Sequence, residues 1–479
     1  MKNKSSENSI QIGFRNRVDE LGMLDDWAAQ SPRLAVIHGR RRLGKTGLLR
    51  QWSRRGPCCY VLATEGTAAS QRAAFAEDLA AVVPGFGEVT YPTWRALFRS
   101  LVAQWPRDGK RPTILVIDEL PYLVKTSAEL ASVLQGLVDD PNGAHLPLVL
   151  CGSSQRMMQG LVLDRTAPLY GRAELLVRLQ PLPVSELGPA LAIDDPRDIV
   201  EAYAAWGGVP RYWELAARQQ GDLWDAVTSL VLSPSGVLHE EASRVLRDEE
   251  AATLERALCQ GIGLGANRPS ELAARLGVQA TTLSKPLRHL VELGLVRRDA
   301  PYDFRKGKPH QKSRSSLYVL DDPFLSMWYR CVHPYLSGLQ VEIPAARRKA
   351  QAAWRHHAGG TWEALIRRHW HRLGVEGLEW EAAGRHWEGR KSTGREWDVV
   401  SVSSDRRTVM LGECKWQRNL SKRDLDRITR DMTTKNRPPE VQDRPTIFCL
   451  FIPRKEDLPH EIDGVRLIDA GDMLASLIP

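Results

Sequence analysis

The chain has 479 residues, 43% of them hydrophobic and 26% charged, with a formal net charge of +8. That balance suits a globular protein with material for roughly three domains, and it excludes a disordered chain, a collagen-like chain and a small disulfide scaffold. The seven cysteines include no Cys-x-x-Cys pair, and no apolar run reaches the ~18 residues of a membrane span, so a reducing cytoplasm and no membrane contact are expected.

Residues 1–10 are polar, lack the apolar stretch of a secretory signal, and are expected to form a disordered tail. From Phe14 to about Gln180, short apolar runs alternate with helical patterns. Ala35-Val-Ile-His-Gly39, Ile114-Leu-Val-Ile-Asp118 and Leu148-Val-Leu-Cys-Gly152 read as strands buried on both faces, which implies a parallel α/β sheet. Gly39-Arg40-Arg41-Arg42-Leu43-Gly44-Lys45-Thr46 matches G-x-x-x-x-G-K-[ST], between a strand and a helix predicted from Thr46 to about Trp52. Its backbone N–H groups, through Gly47, would wrap phosphate oxygens. Lys45 would reach the β- and γ-phosphates of ATP, and Thr46 would ligate Mg²⁺.

The strand ending at Asp118-Glu119 sets two carboxylates at an apolar terminus, which is costly without a cation nearby. Asp118 would hold Mg²⁺ through water, and Glu119 would orient and deprotonate the attacking water. Ser153, after the strand ending at Gly152, is either a γ-phosphate contact or an ordinary turn serine. Arg172 is either an arginine finger on the nucleotide or a surface residue.

Several segments together resemble the archaeal-type P-loop ATPases of the wider AAA+ and STAND grouping, over about residues 11–235. They are Phe14-Arg-Asn-Arg17-Val-Asp-Glu20-Leu21, the arginine-rich loop, Asp118-Glu119, Gly152-Ser153-Ser154, Gly171-Arg172 and Gly207-Gly208-Val-Pro210-Arg211-Tyr212. The resemblance implies an ATPase core over 11–180 and a helical lid over 181–240 that carries the Gly-Gly-Val-Pro segment near the nucleotide.

From about Pro181 to Leu336 helical periodicity dominates. Pro269 to Gly277 and Ala280 to Gly294 read as a helix-turn-helix, with Ser284, Lys285 and Arg288 on the polar side of the second helix. A strand at Leu295–Arg298, a loop from Arg305 to Arg314 with five basic residues and no acid, and a strand at Ser316–Leu320 follow. This makes 241–336 a candidate winged helix, with Lys285, Arg288 and the 305–314 loop contacting DNA phosphates; a winged helix that binds a protein partner is the alternative.

Residues 337–360, rich in small and basic residues, are predicted to be a linker. Residues 361–479 begin with a helix and continue with strands Glu396–Val402 and Arg407–Trp416. A hairpin centred near Asp405 sets Asp398 opposite Gly412, next to Glu413, and the two-residue strand period puts Glu413 and Lys415 on one face. The carboxylates of Asp398 and Glu413 would hold Mg²⁺ and Lys415 would polarise water. Asp398 with Glu413-Cys-Lys415 resembles the signature of the restriction-endonuclease-like superfamily, and Glu363 would match its upstream acid. Gly-Glu-Cys-Lys-Trp also resembles a C-terminal domain of unknown function that accompanies such ATPases. The tryptophans from Trp354 to Trp416 are expected to pack cores.

The expected molecule is therefore multidomain. An α/β P-loop NTPase with a helical lid is followed by a winged helix-turn-helix and a C-terminal α/β restriction-endonuclease-like domain. The expected function is ATP hydrolysis coupled to DNA, with or without cleavage; the alternatives are a nucleotide-gated DNA-binding regulator and a STAND-type signalling scaffold. A homo-oligomer or a protein partner is compatible with either.

Overall fold

The computed structural model describes residues 16–30, 32–106, 113–140, 146–249, 251–310, 313, 315–336, 342–387, 396–417, 420–455 and 458–478. The expected tail, Phe14 and Arg15, and Gln311, Lys312 and Arg314 of the basic loop lie outside them. The chain divides into two units, the first made of Met1–Leu182, Val209–Glu214 and Arg247–Glu250, the second of Pro183–Gly208, Leu215–Leu246 and Ala251–Pro479.

In the first unit, apolar runs free of helix caps form β1 (Leu34–His38), β2 (Cys58–Leu62), β3 (Ile114–Asp118), β4 (Leu148–Gly152) and β5 (Leu175–Arg178). All pairs are parallel and the order is β2-β3-β4-β1-β5. Every residue of β1, β3 and β4 is buried, as expected of strands covered on both faces. Helices Ala68–Leu79 and Trp94–Gln104 start on Thr67 and Thr93, whose hydroxyls accept the amides of Ser70 and Ala96. Phe75, Trp94 and Phe98 from these helices pack edge-on in the core. This order sets the carboxyl ends of β1, β4 and β3 side by side, which is where parallel sheets bind ligands.

In the second unit, helices Thr253–Gly263, Pro269–Leu276 and Ser284–Glu292 precede β6 (Val296–Asp299), β7 (Tyr302–Asp303), β8 (Lys308–Pro309) and β9 (Leu317–Leu320). Gly277 ends the second helix at φ 65°, a left-handed stop that favours glycine. Strands β6 and β9 pair antiparallel, as do β7 and β8. The base of the β7–β8 hairpin is no free-standing wing. Tyr302 and Phe304 are buried in one cluster with Trp397, Val400, Val402 and Val409, and Arg406 donates to the Arg305 carbonyl.

The predicted linker is corrected from residue 343 onward. Ile343–His369 is one helix of 27 residues. Its alanines, arginines and lysine are strong helix formers, so a composition of small and basic residues favours a helix here. It precedes β10 (Gly384–His386), β11 (Trp397–Val402) and β12 (Val409–Cys414). Helix Lys422–Thr434 then leads to β13 (Thr446–Phe451), β14 (Glu461–Ile462) and β15 (Val465–Ile468). The sheet order is β10-β11-β12-β13-β15-β14. Strands β10, β11 and β12 run antiparallel, and β13 and β15 continue parallel to β12. The tryptophans do pack the core: Trp362 meets Trp416 at 5.3 Å and Trp370 meets Trp380 at 5.2 Å between ring centroids. All seven cysteines are unbridged, and no described helix is long and apolar enough to cross a membrane.

Candidate functional site

The phosphate loop leaves β1 at Gly39, whose φ of 149° and approach to Leu179 (a Cβ there would lie 2.8 Å from the Leu179 carbonyl oxygen) permit only glycine. Arg42 and Gly44 also have positive φ, at 70° and 92°, and they turn the loop into helix Lys45–Ser53. Arg17 braces the loop from below, donating to the carbonyls of Leu43 at 3.0 Å and Gln180 at 2.9 Å. Lys45 is 4% exposed and its Nζ donates to the carbonyls of Gly39 (2.7 Å) and Arg40 (2.9 Å). Burial pulls its ammonium below the ordinary lysine range, against the opposing influence of Asp118, Glu119 and Glu249. Thr46 is half-buried and Gly47 exposed on the first turn. His38, just before the loop, is pushed down to about 4 by burial with Arg178 and Lys45 nearby, so its imidazole is neutral.

Asp118 is fully buried at the end of β3. One of its oxygens accepts the Tyr60 hydroxyl at 2.8 Å and the other accepts the Glu119 amide at 3.0 Å. Glu119 has a left-handed backbone at φ 57°, strain found at functional positions more often than elsewhere. Its carboxylate accepts the Ser153 hydroxyl at 2.7 Å and the Ser153 amide at 3.3 Å. The structure thus gathers Lys45, Asp118, Glu119 and Ser153 at the ends of three neighbouring strands. Pro210 reaches the loop as well: its Cγ lies 3.9 Å from where a Cβ on Gly44 would be.

Arg172 is not brought to this group. Its guanidinium forms two parallel bonds, at 2.7 and 2.8 Å, with the carboxylate of Asp139 at the end of helix Glu129–Asp139. Such a pair fixes the planar fork on one partner.

Three groups at the site escape sequence reasoning. Tyr60 reaches Asp118 only because β2 lies beside β3, with Leu62 opposite Asp118. Asp248 pairs with Arg41 at 3.0 Å. Glu249, 2% exposed, accepts the amide of Gln155 at 3.2 Å from 94 residues away along the chain. Burial pushes its carboxyl up to about 7, against Arg40 and Lys45.

In the second unit, Lys285 and Arg288 are exposed on helix Ser284–Glu292, and Arg305, Lys306, Lys308 and His310 are exposed on and beside the β7–β8 hairpin. The hairpin of β11 and β12 is paired one residue away from the expected register. Val399 lies opposite Gly412, so Asp398 falls beside Glu413. Asp398 accepts the Cys414 amide at 3.0 Å. Glu413 accepts Lys415 Nζ on one oxygen at 3.0 Å and Lys435 Nζ on the other at 2.6 Å. Lys435 also caps the Trp397 ring, 4.3 Å from its centroid. Against the pull of burial, Glu413 and Asp398 hold the Lys415 ammonium above its ordinary range. Glu363 accepts Arg367 at 3.2 Å, and burial beside Asp398 pushes its carboxyl up.

The four expected residues do converge, with Asp398 and Glu413 side by side across the two strands. Each Glu413 oxygen already carries an ammonium. Among the described residues, no group of three or more His, Cys, Asp or Glu side chains is placed to hold a metal ion.

Comparison with known proteins assigns the two regions differently. Residues 14–215 match the model of a family described as an ATPase domain predominantly from Archaea. Residues 328–428 match a family of archaeal and bacterial proteins of unknown function. An uncharacterized protein of Methanocaldococcus jannaschii is 25% identical over 430 residues, covering 88% of this chain and 92% of the relative. Among solved structures, a Walker-type ATPase of Pyrococcus abyssi shares the fold with a TM-score of 0.51 at 19% identity, covering 66% of this chain and 96% of that one.

Proposed function

We propose that this chain, an archaeal-type P-loop ATPase, hydrolyses ATP at the end of its parallel sheet and contacts DNA through its second unit. The convergence of Lys45, Glu119 and Ser153 beside the fully buried Asp118 carries the first half of the reading. Lys45 would exchange its two carbonyl partners for the β- and γ-phosphate oxygens. Glu119, oriented by Ser153, would align a water with the γ-phosphorus and take its proton. The hydrogen bonds to Asp118 come from the neutral hydroxyl of Tyr60 and an amide, which suits a carboxylate that shares a cation with phosphate. Thr46 and Asp118 would hold Mg²⁺, whose chemistry there is to neutralise charge on the phosphates. Phosphate release by the wild type and by Lys45→Ala tests this. We expect turnover to vanish in the variant, and unchanged turnover would sink the assignment.

The second half rests on three helices followed by a two-stranded ribbon, the order of a winged helix, with Lys285 and Arg288 exposed on the third helix. Neutralising both should weaken DNA binding and flatten its dependence on salt. An unchanged salt slope would favour a scaffold for a protein partner. The helix–three strands–helix–strand order of the C-terminal sheet supports a restriction-endonuclease-like fold. The lysine-held Glu413 favours its use for binding rather than cutting. Metal-dependent nicking of plasmid DNA, lost in Asp398→Ala, would overturn that second reading.

A further inference from the structure

The first unit includes a short acidic segment from far along the chain that takes no part in the hydrolysis proposed above. Asp248 sits on Arg41 of the phosphate loop at 3.0 Å. Its neighbour Glu249 is 2% exposed and bonds the amide of Gln155, two residues beyond the Ser153 that holds Glu119. Of the cations, Arg40 and Lys45 on the loop act on its carboxylate, and Asp248 on its own segment opposes them. One carboxylate is thus buried against the loop that would wrap phosphate, close to the strand end that would meet the terminal phosphate. A second carboxylate occupies one of the loop's arginines.

A buried carboxylate is costly, and a site that only bound nucleotide would be better served by a neutral group here. The structural account of Glu249 is that it caps the Gln155 amide, a task that an amide oxygen performs equally well. What the charge adds is repulsion toward an anion drawn to the same cations. That repulsion is greater for a triphosphate, which carries more charge than a diphosphate and extends to Ser153 and Glu119.

We propose that Glu249 is a specificity-determining residue of the nucleotide site. It sets the preference between nucleoside triphosphate and diphosphate by competing, as an internal anion, for Lys45 and Arg40. Binding of the triphosphate displaces the 247–249 segment from the loop, whereas the diphosphate leaves it seated. The proposal rests on the nucleotide reading given above.

The test measures the affinity of the full chain for ATPγS and for ADP by calorimetry with Mg²⁺ at pH 8, in the wild type, Glu249→Gln and Lys45→Ala. Glu249→Gln keeps an acceptor for the Gln155 amide and removes the charge. The expected result is that ATPγS binds about fivefold or more tightly in Glu249→Gln, with ADP changed far less. Equal changes for both nucleotides, or none, overturn the proposal and leave Glu249 a structural cap. If the wild type binds neither nucleotide, or Lys45→Ala binds as the wild type does, the nucleotide reading itself fails and takes this one with it. A second measurement needs no variant at position 249. Trypsin cleavage after Arg247, which is exposed, should quicken in the wild type with ATPγS and not with ADP. Equal rates with the two nucleotides count against displacement.

Discussion

Two clusters of carboxylates and lysines, one in each unit, are built from the same residue types and differ in how the charges are paired. At the end of the parallel sheet, Asp118 and Glu119 take their hydrogen bonds from a tyrosine, a serine and backbone amides, and Lys45 gives its protons to carbonyls. In the C-terminal sheet, Glu413 is held between Lys415 and Lys435, and Glu363 is held by Arg367. The first arrangement keeps acid and base apart and oriented, so both remain to be neutralised by a charged ligand. The second neutralises itself. Which partners a charged side chain has therefore says more about chemistry than whether acids and a lysine share a spot.

The largest effect that separates the two clusters is on turnover. Glu119→Gln should lower ATP hydrolysis by about 10²–10⁴-fold, the usual worth of a positioned general base. Glu413→Gln should leave the rate within about twofold, since a shift of under half a kcal/mol in the barrier is that small. Comparable losses in both variants would mean that the two clusters serve one reaction. The next effect is on stability. Lys435→Ala strips one ammonium from Glu413, whose side chain is 14% exposed, and should destabilise the chain by about 1–3 kcal/mol in denaturant melts. A neutral outcome would show that Lys415 alone suffices. Smaller still is Tyr60→Phe, which removes one donor from Asp118 and should raise the Mg²⁺ concentration for half-maximal hydrolysis by roughly two- to tenfold, with little change in the maximal rate. A fall in maximal rate at saturating Mg²⁺ would place Tyr60 in a different role.

The half of the site that could be read from the sequence is the half in which chemistry and chain neighbourhood coincide. The loop from Gly39 to Thr46 carries its own geometry in its glycines, and the β3 run announces its burial and its terminal acids together. Tyr60 and Glu249 depend on strand order and on a contact across 94 residues, and no local pattern encodes either. The hairpin register differs by one residue from a turn centred on Asp405 because the turn between Val402 and Val409 is centred between Asp405 and Arg406. Arg406 takes the left-handed conformation at φ 60°, and Ser403 bonds the Asp405 carboxylate and the Thr408 carbonyl. Either register leaves Asp398 close to Glu413, and the observed one sets the two directly side by side. The basic loop from Arg305 to Arg314 reads as a wing from its charge, whereas the apolar Tyr302 and Phe304 beside it decide where its base packs.

The least effect, and the most specific one, concerns pH. Glu249 is pushed up to about 7 by burial, more than Arg40, the Gln155 amide and Lys45 pull it down, and Asp248 pushes the same way as burial. In the unfolded chain this carboxyl loses its proton near the ordinary glutamate value, about 4.3. Between that value and about 7 the folded chain keeps a proton that the unfolded chain has lost, so stability falls as pH rises through the window and levels off above it. Glu249→Gln cannot lose a proton there. The melting temperature of the wild type should therefore drop relative to that of the variant between pH 5 and pH 8, by about 2–4 °C or less for a molecule of this size. Parallel curves would place the Glu249 carboxylate in contact with water or cations it does not meet in this fold. A crossing in the opposite sense would mean that Arg40 and Lys45 outweigh burial, and that the segment is held to the loop chiefly by ion pairing.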